Sequence, residues 1–80
     1  MRTANQEPRA IFTLDQALLI ESPYTPALIE RLHQAIPRGA HRYSRRFHRW
    51  VIEPAWAAVA LGIFRALFPD GIIIGWRGAR

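Results

Sequence analysis

Apolar positions along the chain change their spacing several times, and each change marks the border of an element. Ala10-Ile-Phe-Thr-Leu14 and Ala17-Leu-Leu-Ile-Glu21 are short apolar runs on either side of Asp15-Gln16, the length pattern of two strands joined by a tight turn. Helix competes for residues 14–21, but Ser22-Pro23 and Pro26 leave little room for one, and the β-branched residues favour extension. Thr25-Pro26 then opens a helix, because threonine is a capping residue and proline at the first helical position loses no hydrogen bond. Ile36-Pro37-Arg38-Gly39 closes it, since the residue before proline is pushed out of the helical region and glycine lets the chain turn. Between these limits Leu28, Ile29, Leu32, Ala35 and Ile36 recur at helical spacing as the stripe expected to be buried, with Glu30, Arg31, His33 and Gln34 outward.

Alternation returns in residues 40–53. Ala40-His-Arg-Tyr43 and His48-Arg-Trp-Val-Ile-Glu53 read as hairpin arms around Ser44-Arg-Arg-Phe47. With Tyr43 paired to His48, Arg42 faces Arg49 and His41 faces Trp50. One sheet face then collects His41, Tyr43, His48, Trp50 and Ile52, and the other Arg42, Arg49 and Val51. Glu53-Pro54 starts a second helix, Pro69 closes it, and Asp70-Gly71 turns the chain into a last strand, Ile72-Ile-Ile-Gly-Trp76. The order ββαββα(β) predicts an α+β fold: a small two-layer domain with two helices on one face of a mainly antiparallel sheet. The domain is expected over residues 10–76, between a flexible tail of residues 1–9 and a basic tail of residues 77–80.

Length and composition fit one small core, with 80 residues of which 50% are hydrophobic and 21% charged. The most apolar stretch, residues 55–68, carries Arg65 and at about 14 residues falls short of the roughly 20 that span a bilayer. It reads as a buried helix that is apolar nearly all round, with Trp56, Phe64 and Phe68 in the core or, in part, against a partner. The polar start Met1-Arg-Thr-Ala-Asn-Gln-Glu-Pro8 lacks the apolar region of a signal peptide, so the expected location is the cytoplasm, without a membrane. Ile72-Ile73-Ile74 either completes the sheet, the reading adopted, or offers an edge to another chain. That edge and the second helix are the two places where a homodimer would form.

Charge narrows the function classes. All 11 basic residues are arginine, against 6 acids, for a formal net charge of +5. Without lysine there is no Walker-type phosphate loop and no Schiff-base chemistry, and without cysteine no disulfide, thiolate nucleophile or zinc–thiolate site. Ser22 and Ser44 lack a matching histidine and carboxylate arrangement, so the chain does not read as an enzyme. His33, His41 and His48 match no closed metal motif, and no metal or other cofactor is expected. Between Arg31 and Ile52 there is no acid at all. That window points to nucleic acid, because the planar guanidinium grips phosphate bidentately and stacks on bases. Arg38, Arg42, Arg45, Arg46 and Arg49 are the expected phosphate contacts, with His41, Phe47 and His48 as secondary contacts. The facing pair Arg42 and Arg49 argues the same way, since an anion would relieve the repulsion. A solvated face in an arginine-rich proteome is the competing explanation. Tyr43 and Trp50 could form a stacking platform, but in so small a domain they read as core.

The pattern Ser22-Pro23-Tyr24-Thr25-Pro26-Ala-Leu-Ile-Glu-Arg-Leu32, then Ile36-Pro37, Tyr43, Trp50-Val-Ile seven residues on, and a second helix ending at Leu67-Phe68-Pro69, resembles the HARP domain. HARP domains lie beside the motors of SNF2-type annealing helicases, and HARP-like modules are fused to bacterial helicases. The resemblance covers about 60 residues of the 80 and rests on aromatics and prolines. It implies a module that binds single-stranded or structured DNA, DNA rather than RNA. The turn departs from it, with Ser44-Arg45-Arg46-Phe47 where the family often has an acid, and no motor is attached. The expectation is therefore a stand-alone DNA-binding module working through an arginine-rich hairpin. The alternative is a small protein-interaction module, such as a phage or mobile element encodes, docking its basic face on an acidic protein of a DNA-handling complex.

Overall fold

The structure is a computed structural model that describes residues 7–75. Strands β1 (Arg9–Phe12) and β2 (Leu18–Glu21) lead into helix α1 (Pro26–Ala35), then β3 (His41–Ser44), β4 (Arg49–Ile52), helix α2 (Ala57–Leu67) and β5 (Ile72–Ile74). The strands form one sheet in the order β3-β4-β2-β1-β5. All pairings are antiparallel except β1 with β5. The α+β architecture, with its fifth strand, is that expected from the sequence.

The topology follows from two crossovers. The pairings make β2 parallel to β3 and β4 parallel to β5, so α1 and α2 each connect parallel strands of the same sheet. The crossovers run in opposite directions along the sheet, and they start from strands that are antiparallel to each other. A common right-handed sense, the rule for such connections, therefore puts both helices on the same face. Burial agrees: Ala10, Leu18, Ile20 and Ile52 are buried on one side of the sheet and join Leu28, Leu32, Ala57, Ala60, Leu61 and Phe64 in a single core. Among the described residues the opposite side carries no helix. Arg42, Val51, Leu19, Ile11 and Ile74 lie in register across it.

Proline punctuation places α1 as expected, with Pro26 at its start and Ile36 in extended backbone at its end. Thr25 does not cap through its side chain; its hydroxyl donates instead to the Pro23 carbonyl at 2.7 Å. In the expected stripe Leu28, Leu32 and Ile36 are buried and Ile29 is half-buried, but Ala35 is exposed. Pro54–Trp56 forms a 3-10 turn before α2. Only Ala57, Ala60, Leu61 and Phe64 of α2 are buried, while Ala58, Val59, Gly62 and Ala66 face outward. The helix is thus covered on one side, and Trp56 and Phe68 pack against the core from its edge.

Three expectations need correction. Arg9 opens β1 and the Pro8 carbonyl accepts a hydrogen bond from the Ile72 amide at 3.0 Å, so the ordered chain begins ahead of Ala10. The rest of the expected tail up to Gln6, and Trp76 with the basic tail 77–80, lie outside the described residues. The second correction is the hairpin register. Tyr43 pairs with Trp50 and Ser44 with Arg49, which puts Arg42 opposite Val51 and removes the Arg42–Arg49 repulsion. Ser44 explains the difference: as the last β3 residue its hydroxyl accepts the Phe47 amide at 3.3 Å, a local bond that ties the turn. His48 leaves the strand and closes the turn at φ 54. A two-residue slip keeps every remaining side chain on its expected face. Third, Tyr43 is not core; it stands on the edge strand and is 46% exposed.

Candidate nucleic-acid interface

Strands β3 and β4 are joined by residues 45–48, and all four are exposed. At this tip Phe47 is 56% exposed. The Arg46 and Arg49 guanidinium carbons lie 5.5 and 4.9 Å from its ring centroid, within the range of cation–π attraction. The open ring thus holds two cations near it.

The arginines differ in what they already bind. Arg49 Nη1 donates to Glu21 Oε2 at 3.3 Å, and Arg9 approaches the other oxygen of the same carboxylate at 3.9 Å. Glu21 bridges two cations on the helix-free face of the sheet, following the register that aligns Arg9 with Glu21. Among the described residues these are the ion pairs, so Arg38, Arg42, Arg45 and Arg46 carry charge without an acidic partner. Arg42 is exposed on the helix-free face; at the hairpin base it shares a shallow hollow with Glu53.

The expected contacts therefore do not form one flat patch. Arg42 and Arg49 lie on the helix-free face, Arg45, Arg46, Phe47 and His48 at the tip, and Arg38 and His41 on the helix side. There the His33 and His41 rings meet at a tilt with centroids 5.1 Å apart, and each approaches Trp50, at 6.0 and 5.7 Å. His41 is fixed by its Nδ1, 3.1 Å from the Pro37 carbonyl oxygen. With Arg38 the two imidazoles line a hollow of about 230 Å³. His48 is not part of this group.

His48 instead helps to line a larger cleft of about 400 Å³ between the hairpin and the start of α1. Tyr43 and Trp50 form one wall, their rings edge to face at 5.3 Å. Tyr24, Pro23 and Thr25 from the β2–α1 connection form the other, over Ile20, Leu28 and Ile29. Tyr24 is 84% exposed. Sequence reasoning missed it as a site residue, although an aromatic in the short connection between Pro23 and Pro26, outside any apolar repeat, was a signal. The other expected residues are all present on the surface, spread around the hairpin rather than along one side of it. No helix among the described residues is long and apolar enough to cross a membrane. No family model matches the chain, and no curated protein or solved structure matches it either.

Proposed function

We propose that this protein binds nucleic acid, single-stranded or structured DNA in the first place, through the β3–β4 hairpin and the residues around it. The observation that carries the reading is the hairpin tip: Arg45 and Arg46 without an acidic partner among the described residues, beside an exposed Phe47 that two guanidiniums approach. Phosphate suits the free guanidiniums, and the open aromatic ring suits a base, a contact worth roughly 1–3 kcal/mol. The resemblance to HARP domains supports DNA over RNA. The role is binding, not catalysis.

Fluorescence anisotropy with a labelled single-stranded oligonucleotide at several salt concentrations tests it. With Arg38, Arg42, Arg45 and Arg46 engaged, about four released counterions give a slope of log K against log salt near −3 on a single strand, at roughly −0.7 per contact. Arg45→Ala with Arg46→Ala reduces the slope to about half of that. A slope near zero would remove the electrostatic mechanism, and a double variant of unchanged affinity would remove this location. One feature favours a protein partner as a second reading: Ile72 and Ile74 are exposed on the edge strand β5. A partner that stays bound through nuclease treatment and is lost with Ile74→Lys would establish that reading.

A further inference from the structure

The cleft beside the hairpin has its own chemistry. It is lined by the aromatic residues Tyr24, Tyr43 and Trp50, by the apolar Ile20, Leu28 and Ile29, and by the polar Ser22, Thr25 and His48; the hydroxyls of Ser22 and Thr25 donate to the Pro23 carbonyl and are left as acceptors. A cleft rich in aromatic residues, with a few hydrogen-bonding groups among them, suits a planar heterocycle. The volume of about 400 Å³ falls within the range of small-ligand sites, roughly 300–1,000 Å³. Charge selects among planar groups. None of the described lining residues is acidic, and His48 joins the cleft directly to Arg45, Arg46 and Phe47 at the tip. A ring carried on a polyanion is therefore drawn to this place, whereas a cationic or neutral peptide side chain is not.

We infer that the cleft receives one unpaired base of a DNA single strand whose phosphates run along the arginine turn. Tyr24 is the wall that moves or stacks, being almost fully exposed, while Tyr43 is braced by Trp50. The inference rests on the nucleic-acid reading and gives it a subsite. It also implies a preference for single strands, since a base in a duplex is already stacked and paired.

Binding of oligothymidylate of about 12 nucleotides is compared with binding of an abasic oligonucleotide of the same length, which keeps the phosphates and lacks the bases. The wild-type protein is expected to prefer oligothymidylate by about tenfold. Tyr24→Ala lowers that preference severalfold, to what stacking on Phe47 alone supplies, and leaves abasic binding unchanged, while Tyr24→Phe keeps it. Tyr24 is exposed enough that neither variant threatens the fold. Equal binding of the two oligonucleotides by the wild type overturns the subsite and leaves the electrostatic reading standing. A preference that is undiminished in Tyr24→Ala and disappears in Phe47→Ala overturns it too, by moving the base to the tip. Binding of neither oligonucleotide at low salt overturns the nucleic-acid reading itself, and the subsite with it.

Discussion

Two side chains occupy left-handed backbone, Gln16 at φ 71 and His48 at φ 54, and each is the last residue of a hairpin turn. Outside glycine that conformation costs of order 1–3 kcal/mol, partly offset because glycine is the more flexible residue when unfolded, by roughly 0.5–1 kcal/mol. Gln16→Gly is therefore expected to stabilise the protein by about 1 kcal/mol, a rise in Tm of about 4–8 °C in a domain of this size. A thermal melt checks it; a lower Tm would mean that the turn from Thr13 to Ala17 is held by more than its backbone bonds. His48 is the less clean position, since the same change would empty one side of the cleft. Glu21 gives the second prediction at this scale. It occupies Arg49 and Arg9 at 3.3 and 3.9 Å, so Glu21→Gln frees both for phosphate. Oligonucleotide affinity should rise, and the salt slope should steepen by about 0.7 for each arginine that joins the contact. An unchanged slope would show that Arg9 and Arg49 take no part in binding.

The connection from α2 to β5 depends on how closely the chain passes over Phe64. A Cβ on Gly71 would come within 2.6 Å of the Phe64 ring, which is fully buried and has no room to give. Gly71→Ala is expected to cost about 1–3 kcal/mol as an overpacking change, read as a lower urea midpoint. Gly62→Ala, which meets nothing within 4 Å on the exposed side of α2, is the control and should be neutral or stabilising. Elements of this kind were legible in the sequence to different depths. Both limits of α1 and the end of α2 were clear because proline marks them by covalent chemistry, whereas Pro54 opens a 3-10 turn and α2 itself begins only at Ala57. Strand faces were clear because they depend on period two, which a slip of two residues leaves intact. The pairing of Tyr43 with Trp50 was not, since the turn has no glycine or asparagine to announce its left-handed position and a histidine fills it. The opposition of Arg42 and Arg49 was lost with that register. The cleft was hidden for a different reason: its lining comes from two connections, a helix and three strands, and no local pattern records that they meet.

At the scale of the molecule, two crossovers that share a face leave the other face of the sheet without a helix among the described residues, and Arg38, Arg42, Arg45, Arg46 and Arg49 are spread around one hairpin. A net charge of +5 works against the compact state through self-repulsion, strongest where Arg45 and Arg46 adjoin. The attractions that oppose it, Arg9 and Arg49 with Glu21, are partly exposed pairs, and such pairs contribute at most about 1 kcal/mol. Repulsion should therefore win. Salt screens charges over about 10 Å at 0.1 M, so raising it should increase the Tm of the free protein while it lowers affinity for an oligonucleotide. Saturating oligonucleotide should do at low salt what screening does at high salt, and more: at one hundred times Kd the linkage is about 2.7 kcal/mol, a rise in Tm of about 10–20 °C. The two effects should not add, because the ligand dissociates as salt rises. Melts across a grid of salt and oligonucleotide would then show curves that cross. A free-protein Tm that falls with salt would mean that the Glu21 bridge outweighs the arginine repulsion, and that the hairpin is not under electrostatic strain before it binds.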